Sequence, residues 1–258
     1  MPLARGTYVF GVVAAERRPR LSRVPAGVPG AGPVRVLDVE PGLFLAVADL
    51  PLDRYSEAAI NTGLSNLDWV SRVAVAHEAV VESLIASTAV LPMKLFTIFT
   101  TDERALADVR GQRARIASLV KRVANHHEWG VRVILDRALA AAARSKKKAP
   151  ATAATGVSYL ALKKANRDAS KELASRARET VAGLFDRLAA RSGDARRRAA
   201  SELPVEGGPL LLDAAFLVPR ARAASFKALT ARESRSLGRQ GYGLTVSGPW
   251  PPYTFVQD

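Results

Sequence analysis

The chain has 258 residues, 48% of them apolar and 24% charged, with 38 lysines and arginines against 24 acids and a net charge of +14. That length and composition exclude a globally disordered chain and match one large folded domain or two modest ones. The absence of cysteine excludes disulfides, thiolate metal sites and cysteine nucleophiles, and no apolar run reaches the roughly 20 residues that a membrane-spanning helix needs.

Residues 6–14, GTYVFGVVA, are rich in aromatic and β-branched residues and lead into a Pro/Gly/Arg-rich stretch over 15–33. The pattern predicts a strand buried on both faces followed by a loop, in preference to a signal-peptide core over Tyr8–Ala15. VRVLDV (34–39) and LFLAVADL (43–50) predict a hairpin split by the turn pair Pro41-Gly42. From Leu67 the period changes: Leu67, Val70, Ala74, His77, Val81 and Leu84 recur three and four apart, the apolar face of a helix that ends before Pro92. AVLPMKLFTIF (89–99) returns to strand character. Thr100 and Glu103 have the spacing of a capping box, opening a helix with Leu106, Val109, Ile116, Val120 and Val123 inward.

WGVRVILD (129–136) alternates well and predicts a strand, followed by a short Ala-rich helix and a linker, SKKKAPATAATG (145–156). A long helix over 158–191 places Tyr159, Leu162, Leu173, Val181, Leu184 and Leu188 inward and its lysines and arginines outward. LLLDAAFLV (210–218) predicts a buried strand stopped by Pro219, then a helix with Phe226, Leu229 and Leu237 inward, then a last strand, YGLTV (242–246). Strands and helices are mixed without regular βαβα repetition, which predicts an α+β class with helices on one face of small sheets. A boundary near residue 125 divides the chain into an N-terminal α+β domain, 1–125, and a C-terminal α+β domain, 126–258, ending in a tail over 247–258.

Candidate chemistry is sparse. His77-Glu78 opens like HExxH, but position 81 is Val, so His77 reads as a core histidine on the apolar face of its helix. His126-His127-Glu128 reads as a helix end, where polar or cationic groups suit the dipole, with no third ligand for a metal. Asp136, Asp213 and Glu128 sit at predicted strand ends with nothing pairing them by spacing. There is no GxSxG and no GxxxxGK[ST], and Gly241-Tyr242-Gly243 precedes a strand and not a helix. No catalytic residue, cofactor or metal is therefore expected. The charge surplus includes two runs, Lys146–Lys148 and Arg196–Arg198, either solvated surface or a face for nucleic acid. Tyr8 and Phe10 alternate as base-stacking residues do on an RNA-binding sheet, but the RNP1 pattern is missing and core packing accounts for both.

The chain closes on SGPWPPYTFV (247–256). Gly248-Pro249 ends the last strand with a turn, and Pro251 and Pro252 fix their own φ and hold their predecessors extended. The rings bring apolar area and the prolines lower the entropy lost on docking. Trp250, Pro251, Pro252, Tyr253 and Phe255 are therefore read as an extended clasp closing their own domain, in preference to a contact with another chain.

This ending resembles the TGPWPPYSFV of the GvpF/GvpL family of gas vesicle proteins, and the resemblance continues through the chain. YVFGVV (8–13) is similar to the family's YGIV-like opening strand. His77 followed by VLPMKLFTIF (90–99) is similar to its helical histidine and VLPLRFGTVF. EWGVRV (128–133), GVSYL (156–160) and LLDAAFLV (211–218) match EWGVKV, GRAYL and LLDAAYLV in order. Two departures stand out: the family's RFG is Lys94-Leu95-Phe96 here, and the net charge is strongly positive. The resemblance implies a non-enzymatic accessory protein of gas vesicle assembly, cytoplasmic and gas vesicle associated, without cofactor or membrane contact. It implies a ferredoxin-like C-terminal domain. It also implies binding to the hydrophobic shell protein GvpA and other accessory gas vesicle proteins, which prevents aggregation and assists shell nucleation or growth. Leu67, Val70, His77, Val81 and Leu84, in the apolar N-terminal half, are the expected partner-binding residues, by edge pairing or a helix groove. The alternative function is a basic α+β nucleic-acid-binding protein, which strong salt dependence would betray.

Overall fold

A computed structural model of the chain describes residues 4–21, 24–136, 175–198 and 208–256. The predicted Ala-rich helix, the linker over 145–156, the run Lys146–Lys148, the motif at 156–160 and the first part of the long helix lie outside these residues. The chain divides into two compact units, Met1–His127 with Pro249–Asp258, and Glu128–Gly248.

The first unit is built on a sheet of β1 (Arg5–Ala14), β2 (Arg35–Glu40), β3 (Leu43–Pro51), β4 (Ala89–Pro92) and β5 (Ile98–Phe99), in the order β2-β3-β1-β4 with β5 also paired to β1. The hairpin predicted around Pro41-Gly42 forms, with Gly42 at φ 81°, a conformation that glycine adopts without a side-chain clash. Strand β1 lies at the centre, antiparallel to β3 on one side and to β4 and β5 on the other. It is buried from Gly6 to Ala14 on both faces, which is why its sequence is apolar without alternation. A bulge between Val9 and Gly11 leaves Phe10 without a partner on β3 and resets the alternation. Tyr8, Phe10 and Val13 then share one face with Phe44, Ala46, Ala48 and Leu50. Val12 and Leu91 belong to the other face.

Helices cover both faces, where one covered face was predicted. The Tyr8 face packs against Val73, Val80 and Val81 of α2 (Leu67–Ser83), which follows a short helix the sequence reading passed over, α1 (Glu57–Gly63). The Val12 face meets α3 (Asp102–Gly111) and α4 (Arg113–Val123), two helices where one was predicted, parted at Gln112. The N-cap of α3 is Thr101, one residue past the predicted Thr100: its hydroxyl accepts from Arg104 N–H at 3.3 Å. Asp102, in the first turn, accepts from Thr7 Oγ1 at 2.6 Å and from Arg35 at 2.6 and 2.9 Å, while Arg35 also reaches Asp49 at 2.5 Å. One guanidinium thus ties β2, β3 and α3 together and holds the Asp102 carboxyl below its ordinary pKa.

The predicted strand over 89–99 is interrupted between β4 and β5. Phe96 takes φ 64°, in the left-handed region. This is the position where the resembling pattern carries glycine. The phenylalanine is held there by stacking on Trp69, centroids 5.5 Å apart and planes 7° from parallel. The helix predicted to end at His126-His127 also stops early. Asn125 turns the chain at φ 57°, donates its N–H to the Thr88 carbonyl at 2.8 Å, and His126 already begins a strand.

The second unit is built from β6 (His126–Leu135) from Glu128 on, helical residues 175–189 (α5), β7 (Asp194–Arg197), β8 (Leu210–Pro219), α6 (Ala223–Gly238) and β9 (Tyr242–Trp250) as far as Gly248. The sheet order β7-β8-β6-β9 with βαββαβ succession among the described residues is the split βαβ arrangement of ferredoxin-like sheets. Trp129, Val131, Leu184, Leu188, Phe216 and Phe226 form its core.

The tail departs from expectation in two ways. Strand β9 runs through Gly248 (φ 115°) and Pro249 to Trp250, and Tyr253–Val256 forms one helical turn (α7) where an extended piece was predicted. Two successive prolines cannot donate to a ladder, and their fixed φ suits a helix start. The tail also belongs to the first unit and not to the C-terminal domain: Tyr253 packs on the Tyr8 core, Val256 lies near Val12 and Leu91, and the Arg122 guanidinium donates to the Phe255 carbonyl. Pro251, Pro252, Phe255 and Val256 are buried, whereas Trp250 is 37% exposed.

The clasp is therefore anchored by Phe255 more than by Trp250. Phe255→Ala is expected to lower unfolding free energy by about 3–5 kcal/mol in urea titrations, and Trp250→Ala by less than about 1 kcal/mol; similar losses in both would refute this division. At position 96, alanine keeps the left-handed strain and loses the ring, a loss of about 2 kcal/mol. Phe96→Gly should be about 1 kcal/mol more stable than Phe96→Ala, because glycine accepts that φ.

Candidate partner-binding surface

The five residues expected to bind a partner do not share one surface. His77, Val81 and Leu84 are buried in the core of their own unit, Val70 is half-buried, and Leu67 is 82% exposed. Along α2 the buried positions are Val73, His77, Val80 and Val81, and the first turn buries nothing. Three large apolar side chains are left in solvent along α1 and α2: Leu64 (51%), Leu67 (82%) and Val75 (62%). Leu67 and Val75 stand two helical turns apart, with exposed Ser71 between them. Leu64 and Val75 escaped the sequence reading because Val75 is out of phase with the apolar period and Leu64 lies beyond the predicted helix.

His77 has a defined structural role. Its Nδ1 is 2.8 Å from the Tyr8 hydroxyl, and its ring packs against Tyr8 and Phe10 with centroids 5.7 and 5.6 Å away. Burial disfavours the imidazolium and lowers the His77 pKa from 6.5 to about 4. The same burial raises the Tyr8 hydroxyl above its ordinary range. A neutral pair shares one hydrogen bond between β1 and α2. Tyr8 and Phe10, both fully buried, offer no face to a nucleic-acid base.

In the second unit the tertiary structure pairs carboxylates that spacing left apart. Arg198 donates to buried Glu128 at 2.6 Å and to buried Asp213 at 3.3 Å, and Arg132 donates to Asp213 at 3.0 Å. Asp136 follows the opposite end of β6 from Glu128. The other members of the basic run are also engaged: Arg196 is 3.9 Å from Asp194, and Arg197 lies 4.6 Å over the Phe185 ring. These arginines neutralise and cover their own unit. Among the described residues, no group of three or more histidine or acidic side chains is placed to hold a metal ion, and no helix is long and apolar enough to cross a membrane.

Residues 6–257 match the family model described as gas vesicle synthesis protein GvpL/GvpF. The chain belongs to the GvpL/GvpF family. Gas vesicle protein L of Streptomyces sp. (strain CB03234) is 30% identical over 261 residues, spanning 99% of this chain and 94% of that one. Gas vesicle protein F of the same strain is 28% identical, spanning 97% and 99%. Crystal structures of GvpF from Anabaena sp. PCC7120 and from Microcystis aeruginosa share the fold, with TM-scores of 0.69 and 0.67 at 16% and 17% identity, each covering 98% of this chain and 97% and 99% of the respective neighbour. Membership gives the chain a role in gas vesicle assembly among gas vesicle proteins, in a family not known for enzymes.

For this GvpL/GvpF member, pH reports on the buried histidine. Unfolded His77 binds a proton below about 6.5, whereas the folded state takes it up only near 4. Stability is thus complete above the unfolded pKa and falls as pH drops from about 6.5 toward 4, by up to about 3 kcal/mol. His77→Gln should flatten this part of the stability–pH curve; parallel curves for both proteins would remove His77 as its source.

Proposed function

We propose that the protein is a non-enzymatic, cytoplasmic assembly factor that binds the hydrophobic shell protein GvpA, keeps it from aggregating and assists shell nucleation or growth in company with other accessory gas vesicle proteins. The observation that carries this reading is the group Leu64, Leu67 and Val75, large apolar side chains held in solvent on helices of a well-packed unit. Apolar side chains left in solvent on neighbouring helices offer contact area to a partner, and on a rigid helix they match the helix-based modes of protein recognition. A shell subunit that assembles through apolar surface would be shielded by such contacts. The buried carboxylates Glu128 and Asp213 lie within β6 and β8, not at strand ends, and their pairing with arginines agrees with a structural role. The net charge of +14 is the observation that favours nucleic acid instead, but the run Arg196–Arg198 is engaged within its own unit.

The test is co-expression with the shell protein of the same gas vesicle cluster, followed by size exclusion at low and at about half-molar salt. A soluble complex is expected at both, because apolar contact tolerates salt while phosphate contact does not. Leu67→Glu with Val75→Glu should abolish the complex and leave the unfolding midpoint unchanged, since neither side chain is buried. Nucleic acid co-eluting only at low salt, with no shell-protein complex, would replace this reading by the nucleic-acid one.

A further inference from the structure

Strand β2 ends the first sheet: β3 flanks it on one side, and among the described residues no strand flanks it on the other. In an antiparallel ladder alternate residues turn their N–H and C=O away from the neighbour, so an edge strand presents a row of open backbone groups to any further strand. In β2 these residues are Val36 and Asp38, and the bulge between Asp38 and Glu40 leaves Val39 without a partner on β3. Arginines occupy this row. Arg18 donates to the Val36 carbonyl at 2.5 Å and to the Asp38 carboxylate at 2.6 Å. Arg110, in the last turn of α3, donates through two nitrogens to the Val39 carbonyl at 3.2 and 3.1 Å. Arg113, at the start of α4, meets Glu40 at 3.1 Å where the strand ends. The Pro/Gly/Arg-rich stretch that carries Arg18 is itself tied down further along. Leu21, Val24 and Val28 pack on the Tyr8 core, and Tyr55 donates its hydroxyl to the Pro29 carbonyl at 2.7 Å.

We propose that Arg18 and Arg110 are guards that close the β2 edge, and that the strand they keep out is the same edge of a second copy of this chain. An incoming strand must place its own N–H groups on the outer carbonyls of β2, and at Val36 and Val39 guanidinium groups already stand there. A guanidinium has donors and no acceptor, so it cannot continue a ladder. A neutral amide that displaced it would exchange a charge-assisted hydrogen bond for a weaker one. Charged side chains along an edge are a recurrent defence against strand addition, and here they act by direct contact with the backbone. The strand would pair readily once bare, because Val36, Leu37 and Val39 give it the character of a sheet former. The second copy is the partner because every molecule carries the same bare edge and two like edges pair antiparallel about a two-fold axis that closes the assembly. This role holds whether or not the protein binds a shell subunit, since α2 takes no part in it.

The test uses the full chain with Arg18→Ala and Arg110→Ala together. Both side chains are exposed, so the unfolding midpoint should stay close to that of the unchanged protein. Sedimentation equilibrium should show self-association tightened at least ~10-fold. Amide exchange at high protein concentration should show new protection at Val36 and Asp38. Arg17→Ala with Arg20→Ala removes the same charge from exposed positions in the same stretch and should leave self-association unchanged. An equal gain in that control assigns the effect to net charge and overturns the proposal. No gain in the Arg18 and Arg110 variant, or new protection only away from β2, overturns it too. Arg18→Ala alone leaves α3 untouched and should show part of the gain, and its absence there counts against the guard in the same way.

Discussion

The burial of β1 on both faces is the constraint from which the first unit follows. A strand with no solvent face must be covered twice, so α2 packs on one side and α3, α4 and the returning tail pack on the other. The bulge at Phe10 lets one strand supply aromatic rings to the α2 layer and valines to the α4 layer. The Tyr8–His77 hydrogen bond crosses the first of these interfaces in neutral form, and the Thr7–Asp102–Arg35 network fixes the second. The last turn, through Phe255 and Val256, covers surface that α3 and α4 leave open.

The arginine surplus divides by burial. Arg35, Arg132, Arg187 and Arg198 answer carboxylates that the sheets and helices have partly or wholly withdrawn from water. Breaking such a pair leaves a charge without its partner, which makes these arginines structural whatever the net charge of the chain. The cations of α4 differ in exposure: Arg113 meets Glu40 at 3.1 Å with its side chain 73% exposed. Composition alone cannot separate these two populations.

Once the core is closed, apolar side chains remain on α1 and α2 and an apolar groove remains beside α4, on opposite faces of the central sheet. A sheet covered on both sides by short helices leaves outer helix faces whose residues the core does not dictate.

Local order determined much of this protein. The aromatic and β-branched runs at 6–14, 129–136 and 210–218, the Pro41-Gly42 turn and the helix over Leu67–Ser83 follow from propensity and period, and the ordered motifs from Tyr8 to Val256 identify the family. Tertiary structure decided what no local period encodes. It set which side of α2 meets the sheet, so that His77, Val81 and Leu84 are core while Leu67 is surface. It placed Phe96 in a left-handed turn under Trp69, and joined Arg198 to Glu128, 70 residues away in sequence. It also carried the tail back to the first unit as a helical turn. Each of these depends on contacts between residues far apart in the chain, whereas periodicity reports only that a face is apolar, not which element will cover it.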